Sequence, residues 1–270
     1  MTVLGDNTDL REIAIPGTPG VRVTLAWGRA TDTGRRRTHN EDSLVADAPI
    51  FAVADGMGGH AAGDVASDAV VTRLAELSGG EAVEVETIVL ALEAATEDIS
   101  HAIDERDLGV GTTVTGAALT ASAGEPQWLV FNVGDSRVYL FDHNVLTRIT
   151  VDHSVVQELV TAGLISAADA EHHPDSNVVT RAVGFNTEPA PDFWSIPVAK
   201  GSRLLLCSDG LTREVSELRL RLHLAADLSA RETALALIDA AIAEGGRDNI
   251  TAIVVDVIDV VGAAEPPESP

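Results

Sequence analysis

Acidic residues stand at the ends of short apolar runs in this 270-residue chain. Three share this setting: Asp55 after residues 50–54, Asp209 after residues 204–207, and Asp248 before residues 250–255. Apolar runs of this length are typical of strands that are buried on both faces. Strands that each place an Asp at a terminus can gather several carboxylates at one edge of a sheet.

Such a group of carboxylates requires positive charge nearby. Neighbouring carboxylates repel one another, which raises their pKa values unless a hard cation neutralises them. Glu41 and Asp42 lie just before the strand-like run 43–46 and are candidates for the same edge. The candidate ligand atoms are all oxygens, and oxygen ligands favour Mg²⁺ or Mn²⁺ over zinc or copper.

Glycines follow Asp55 directly in the sequence. Gly56, Gly58 and Gly59 permit backbone conformations that are closed to other residues, and they let the main chain approach a ligand closely. The carbonyl oxygen of Gly56 could therefore reach an ion. An isolated Asp-Gly pair would instead indicate a plain turn, and only the other carboxylates favour the metal site.

The overall charge argues against one class of partner. The chain has 18 Lys and Arg against 42 Asp and Glu, which gives a formal net charge of -24. No basic stripe is present that could neutralise the phosphates of a nucleic acid. A short basic run, 35–37, is the exception: we interpret Arg35 and Arg36 as a solvated turn, and Arg37 as a candidate phosphate-binding residue.

Cysteine content and hydropathy bear on the compartment. The single cysteine, Cys207, excludes an internal disulfide framework and is compatible with a reducing cytoplasm. We interpret Cys207 as a core residue rather than a nucleophile, because no motif places a His partner beside it. The start of the chain lacks the features of a secretion signal, and no run reaches the roughly 18 apolar residues of a membrane span. We therefore expect a cytoplasmic protein that does not bind membranes.

Hydrophobic periodicity predicts the elements that position these residues. Predicted strands are 21–27, 43–46, 50–54, 112–120, 127–133, 136–141, 145–149, 203–208 and 249–260, and predicted helices are 65–77, 85–106, 212–224 and 230–244. The four strands between 112 and 149 are typical of an antiparallel meander, with Gly134-Asp135 as a hairpin-type turn. Asp135 and Arg137 are interpreted as serving that turn.

Residues 153–184 fit neither a regular strand nor a long helix. Two short helices are predicted there, followed by a break at His172-His173-Pro174. Adjacent residues on a helix point in different directions, so the two histidines are interpreted as exposed loop residues rather than metal ligands.

The order of elements predicts an α+β fold. Two antiparallel sheets packed face to face, with helices outside, would bury all of the apolar stripes, although periodicity alone does not select this layout over other α+β arrangements. We expect an extended N-terminal lead-in at 1–20, a single domain at 21–260 with a flap-like insertion at 153–184, and a disordered tail at 261–270.

Six short motifs, taken in order, resemble a known family. They are RTHNED at 37–42, DGMGGH at 55–60, GTT at 111–113, GDSR at 134–137, SDGL at 208–211 and RDNIT at 247–251. Each motif is weak alone, but together they resemble the metal-dependent protein phosphatases, the type 2C serine/threonine phosphatases, in their bacterial branch. The resemblance runs from about 21 to 256. It implies a four-layer α/β/β/α sandwich with a mobile flap beside the active site.

The resemblance also implies a metal site of two cations, Mn²⁺ or Mg²⁺. Asp55 would bridge the two ions, about 3.5 to 4 Å apart. The other implied ligands are the Gly56 carbonyl for one ion, Asp209 and Asp248 for the other, and Glu41 and Asp42 through bound water. A water between the ions would attack phosphoserine or phosphothreonine in line, without a covalent phosphoenzyme.

Two further residues have roles implied by the resemblance. Arg37 would grip the phosphate oxygens with its planar fork, a geometry that Lys cannot reproduce. His60 would be the general acid for the leaving seryl or threonyl oxygen. The motif DGMGGH places His60 farther from Asp55 than the short DGH form of eukaryotic relatives does, so a purely structural role for His60 stays open.

Family members with a third ion often carry an Asp three residues before the GTT glycine. Here Leu108 stands at that position, with Asp107 one residue away. We therefore expect a third site that is weakened. The implied partners are phosphorylated proteins, including serine/threonine kinases, and the expected state is a monomer.

Two alternatives to a protein phosphatase stay open. The first is a metal phosphohydrolase of small phosphoesters with the same ligands, which a comparison of phosphopeptides with nucleotides and sugar phosphates would separate. The second is a non-catalytic, phosphatase-like binding module. Such a module should lack a metal carboxylate, whereas Asp55, Asp209 and Asp248 are all present.

Overall fold

A computed structural model describes residues 1–15, 18, 20–58, 62–78, 83–102, 109–170, 172–185 and 188–262. The strands in these ranges are β1 (Val3–Leu4), β2 (Thr8–Ala14), β3 (Arg22–Asp32), β4 (Asp42–Asp47), β5 (Ile50–Met57), β6 (Gly111–Thr112), β7 (Val114–Ser122), β8 (Glu125–Val133), β9 (Arg137–Asp142), β10 (Val145–Arg148), β11 (Asp192–Pro197), β12 (Arg203–Cys207) and β13 (Ile250–Val261). The helices are α1 (Ala62–Ala75), α2 (Val85–Ala102), α3 (Val155–Thr161), α4 (Ala167–Ala170), α5 (Asp209–Thr212), α6 (Glu217–Ala225) and α7 (Ala230–Glu244). None of these described helices is both long and apolar enough to cross a bilayer.

The described strands form two sheets. The first has the order β1-β4-β5-β7-β8-β11, with β6 paired to β5, and the second has the order β10-β9-β12-β13-β3-β2. Neighbouring strands are antiparallel, apart from the short parallel pair of β1 with β4.

Three apolar layers hold these elements together. One joins α1 and α2 to the first sheet, one lies between the two sheets, and one joins the second sheet to α6 and α7. The predicted four-layer α/β/β/α sandwich is therefore confirmed. Cys207 is fully buried in the third layer, where burial raises the pKa of its thiol to about 12, as expected of a core residue.

Aromatic side chains concentrate between the sheets. Phe51 contacts Trp27 and Trp128 edge to face, with ring centroids 5.4 and 6.1 Å apart. All three rings are almost completely buried. Only 3% of the residues are aromatic, and these three large side chains fill the space between the two sheets.

The predicted four-strand meander is wrong. β7 and β8 form a hairpin in the first sheet, whereas β9 and β10 form a hairpin in the second. Gly134-Asp135 connects the two sheets rather than two paired strands. A sheet-to-sheet crossing and a hairpin use the same turn residues, so local sequence does not distinguish them.

Other predicted elements differ in detail. The predicted helix 212–224 is divided into α5 and α6, and the second helix begins after Ser216 in extended conformation. β11 was not predicted, and it pairs as an edge strand with β8. The lead-in forms β1 and β2, which pair with β4 and β3.

The insertion at 153–184 carries α3 and α4. Its two ends are joined by a bridge between Ser154 and Val179, and Val183 pairs with Thr112 of the GTT motif. These contacts attach the insertion to the first sheet beside the acidic motifs.

Several predictions concern residues outside the described ranges. They are the roles of His60, Asp107 and Leu108, residues 103–106 of the second predicted helix, and residues 263–270 of the predicted tail.

Candidate metal centre

The acidic motifs meet at one edge of the sandwich, between the two sheets. Asp42 begins β4 and lies directly opposite Asp55 in the antiparallel pair of β4 with β5. Asp209 begins α5 immediately after β12, and Asp248 precedes β13, the neighbour of β12. Each carboxylate is thus positioned by the end of a buried strand, as the sequence predicts.

Asp42 connects the two sheets from a fully buried position. Its Oδ2 atom accepts hydrogen bonds from the hydroxyls of Thr251, at 2.6 Å, and Ser208, at 2.9 Å. Its Oδ1 atom is buried and has no hydrogen-bond partner among the described residues. Burial raises the pKa of Asp42 to about 7, although the two hydroxyls act in the opposite direction.

Asp55 and Asp209 lie in the most crowded part of the site. Burial raises the pKa of Asp55 well above its usual range, and the charges of neighbouring acids, Asp42 first, raise it further. The charge of Asp209 is another that raises the pKa of Asp55. Burial also raises the pKa of Asp209, whereas the positive charge of Arg213 lowers it.

Two arginines partly neutralise this cluster. Arg37 forms a bidentate pair with Asp248, from Nε to Oδ1 at 2.8 Å and from Nη2 to Oδ2 at 2.9 Å. Arg213 places Nη2 2.5 Å from Oδ2 of Asp209 and 3.4 Å from Oδ2 of Asp135. Within the described ranges, no three His, Cys, Asp or Glu side chains stand together as a ready-made ligand set.

Sequence reasoning missed Asp135 as part of this cluster. The side chain is 7% exposed, and burial, followed by the charge of Asp209, raises its pKa to about 7. Asp135 therefore lies in the connection between β8 and β9, as interpreted, and also belongs to this acidic cluster. Arg137 keeps a structural contact, because it pairs with Asp152 at 2.6 Å. The available signal was an Asp beside an apolar strand end, the same setting as Asp209.

Asp64, in the first turn of α1, also lies near the site. Its charge raises the pKa of Glu41, although burial is the larger cause and Arg37 opposes it. Its Oδ1 atom is buried without a hydrogen-bond partner in the described part of the chain.

Glycines allow the acid-bearing segments to approach one another. A Cβ atom on Gly56 would lie 2.0 Å from the carbonyl oxygen of Gly63, and one on Gly210 would lie 1.9 Å from that of Asn249. Both distances are impossible without movement of the backbone. These two glycines of the DGMGGH and SDGL motifs are therefore needed for close packing at this edge.

Asn249 fixes the loop that carries Arg37 and Glu41. Its Oδ1 atom accepts a hydrogen bond from the backbone N–H of Glu41 at 2.8 Å. Its Nδ2 atom donates to the carbonyl oxygens of Thr33 and His39, both at 2.9 Å. Asn249 is 4% exposed, so these bonds are shielded from water. The start of β13 thereby holds the RTHNED motif in place.

The donor set fits hard divalent cations. It consists of carboxylate oxygens and the backbone carbonyl at Gly56, which Mg²⁺ and Mn²⁺ accept readily. Oδ1 atoms of Asp42 and Asp209 are buried and, within the described residues, unpaired. Buried carboxylate oxygens without partners are costly, and a cation would satisfy them.

A groove of about 1140 Å³ extends from Asp209 and Asp248 toward the insertion. One wall comes from α3, α4 and residues 172–177, and the other from residues 210–217. Arg137, Arg148, Arg213 and Arg247 line it. A peptide segment could therefore lie between the insertion and the start of α6 with one side chain at the acidic edge.

Comparisons with known proteins agree with this geometry. The family model described as protein phosphatase 2C matches residues 31–243. The serine/threonine phosphatase stp of Listeria monocytogenes is 40% identical over 239 residues, which cover 84% of this chain and 93% of that protein. The crystal structure of the Mycobacterium tuberculosis serine/threonine phosphatase PstP/Ppp has a TM-score of 0.80 at 36% identity, covering 87% of this chain and 99% of that chain.

A second PstP structure bears on the metal. The catalytic domain of PstP in complex with two manganese ions has a TM-score of 0.79 at 36% identity, with the same coverage of 87% and 99%. Sequence and fold thus agree over most of the chain, and this chain belongs to the protein phosphatase 2C family.

Proposed function

We propose that this protein is a metal-dependent serine/threonine phosphatase that hydrolyses phosphoserine and phosphothreonine in other proteins. The observation that carries the proposal is the convergence of Asp42, Asp55, Asp135, Asp209 and Asp248 at one edge, with more negative charge than the two arginines there neutralise. The protein phosphatase names of the relatives, and the two manganese ions of the PstP structure, support it.

Two divalent cations, Mn²⁺ or Mg²⁺, would supply a water of lowered pKa between them for in-line attack on the phosphoryl group. We assign Asp55, the Gly56 carbonyl, Asp209 and Asp248 as direct ligands, and Glu41 and Asp42 as ligands through water. Among these, Asp42 also fixes β4 against β13 through Thr251.

Arg37 would bind the phosphate. Its guanidinium pairs with both oxygens of Asp248, and its side chain is half exposed, at 49%. The same bidentate geometry that holds a carboxylate suits two phosphate oxygens.

His60 is proposed as the general acid for the leaving alcohol. Replacing His60 with Ala should lower turnover of a phosphopeptide much more than turnover of nitrophenyl phosphate, whose leaving group needs no proton.

Phosphorylated proteins, including serine/threonine kinases, are the proposed substrates, and the groove beside the insertion would receive the chain that flanks the phosphorylated residue. We further propose that the protein is a bacterial, cytoplasmic monomer. The buried and protonated thiol of Cys207 is consistent with a reducing compartment.

The proposal is tested by phosphate release from a phosphothreonine peptide with added Mn²⁺. Wild-type protein should turn over, EDTA should stop it, and Asp209→Asn should reduce turnover by about 10²- to 10³-fold, as expected when a charge-stabilising group is lost. Nucleotides and sugar phosphates form the comparison set. Preference for these over phosphopeptides would favour a small-molecule phosphohydrolase, and Mn²⁺ binding without any turnover would favour a binding module.

A further inference from the structure

Arg213 lies between two carboxylates of the site. It follows Asp209 by one helical turn, and its backbone N–H donates to the Asp209 carbonyl oxygen at 2.9 Å. The turn of α5 therefore fixes the arginine relative to this carboxylate. The guanidinium contacts Asp209 at 2.5 Å and Asp135 at 3.4 Å, so that one positive charge serves two acids.

The two acids that share Arg213 are more than nine-tenths buried. Asp135 is 7% exposed and Asp209 is 9% exposed. Oδ2 of Asp209 is taken by Arg213, whereas Oδ1 has no hydrogen-bond partner within the described residues. A cation that bound Asp209 through both oxygens, or bound Asp135 and Asp209 together, would compete directly with the guanidinium.

Arg213 also has space into which it can move. Its side chain is 34% exposed and borders the large groove, together with Glu214 and Glu217. Glu214 is already paired with Arg247 at 2.9 Å. A displaced guanidinium would therefore enter a wide, solvated groove rather than a packed core, and its desolvation would not oppose the movement.

We propose that Arg213 is a built-in counter-ion that divalent cations must displace from Asp209 and Asp135, so that it raises the metal concentration that the protein requires. This inference rests on the proposed function, because it takes Asp209 as a metal ligand. Without metal, Arg213 neutralises Asp209 and Asp135. When a divalent cation binds these carboxylates, the guanidinium moves away from them. It is a residue that sets metal affinity, not one that touches the reacting phosphate.

The test is calorimetric titration of EDTA-stripped protein with Mn²⁺. Arg213→Gln keeps most of the side-chain length and removes the charge, and it should lower the Mn²⁺ dissociation constant about fivefold, the strength of a partly exposed ion pair. Arg219→Gln is the matched control: it removes the same charge from α6, where Arg219 pairs with Glu244, and should change the constant less than twofold.

An equal or higher dissociation constant in Arg213→Gln would overturn the inference while leaving the proposed function intact. A wild type that binds no Mn²⁺ would overturn both. A second measurement needs no variant: in crystals of the wild type grown with Mn²⁺, Arg213 should lie beyond hydrogen-bonding distance of Asp209. A contact preserved beside a bound ion at Asp209 would refute displacement.

Discussion

The paired segment of β12 and β13 has charged residues at or near both of its ends, balanced at one end and all acidic at the other. At one end, Arg203 and Asp256 are direct cross-strand partners and form a bidentate pair at 2.5 and 2.8 Å. The remaining donors of Arg203 reach Thr233 and the carbonyl oxygens of Leu224 and Leu228. Opposite charges are balanced there and their hydrogen bonds are satisfied.

At the other end, Asp209 and Asp248 face further acids across the gap between the sheets. Burial and mutual repulsion raise pKa values in this cluster, and three carboxylate oxygens, on Asp42, Asp64 and Asp209, are buried without partners in the described residues. The first end therefore stabilises the fold, whereas the second stores unfavourable charge that a ligand can relieve. Such a local conflict is typical of a functional site.

Breaking the Arg203–Asp256 pair should reduce the stability of the protein most. Arg203→Ala leaves Asp256, whose side chain is 15% exposed, without its counter-ion, and should reduce the free energy of unfolding by about 3 to 5 kcal/mol. Urea denaturation in EDTA measures this. Arg22→Ala, which breaks an exposed pair with Glu12, is the control and should lose less than about 1 kcal/mol. A similar loss of unfolding free energy in both variants would show that the Arg203–Asp256 pair stabilises the fold no more than an exposed pair does.

Neutralising an acid in the carboxylate cluster should lower activity without lowering stability. Asp55→Asn removes one of the mutually repelling charges, so the free energy of unfolding in EDTA should not decrease. Turnover of a phosphothreonine peptide with Mn²⁺ should fall by about 10²- to 10³-fold. Denaturation and phosphate release, measured on the same preparation, check this. A marked loss of stability of Asp55→Asn in EDTA would show that repulsion between the carboxylates does not destabilise the protein.

Asn249→Ala should affect both properties moderately. It removes the three hydrogen bonds that attach the loop of Arg37 and Glu41 to β13, and leaves three partly buried backbone groups without these partners. We expect a loss of about 2 kcal/mol in the free energy of unfolding. Because this change loosens the loop that carries Arg37, the proposed phosphate-binding residue, KM for a phosphopeptide should rise more than kcat falls. Asn249→Asp, which keeps the acceptor for Glu41, should recover part of both losses.

The pH dependence of stability should give the smallest effect for each group involved. In the metal-free protein the pKa of Asp42 and that of Asp135 are each raised to about 7. A carboxyl group whose pKa is raised by folding binds protons better in the folded state. Its stabilising contribution is therefore complete below the ordinary carboxyl pKa, near about 4, and is lost as the pH rises through 7.

The free energy of unfolding in EDTA should consequently fall by about 1 kcal/mol for each of these two carboxyl groups between pH 6 and pH 8. Asp135→Asn should flatten this slope, and saturating Mn²⁺ should abolish it, because the metal replaces the proton as the neutralising charge. Denaturation curves at several pH values provide the measurement. A stability in EDTA that rises over this range would contradict the assigned direction.

Much of the fold was predictable because local patterns report burial. α7 was predicted with its observed bounds, and its capping box at Ser229 and Glu232 explains why its start is sharp. The meander failed because the Gly134-Asp135 turn does not reveal whether the chain stays in one sheet or crosses to the other. β11 was missed because an edge strand with one exposed side has only a weak pattern.

The sequence by itself determined that Asp55, Asp209 and Asp248 stand beside apolar runs and next to or near glycines, and its net charge of -24 led to the prediction that nucleic acid is not a partner. Only the tertiary structure decided which charges meet there. Asp135 joins Asp209 because a connection crosses between sheets, and Arg213 reaches both because α5 starts at that edge. Charges interact through space over a few ångströms, so residues far apart in sequence set the electrostatics of the site.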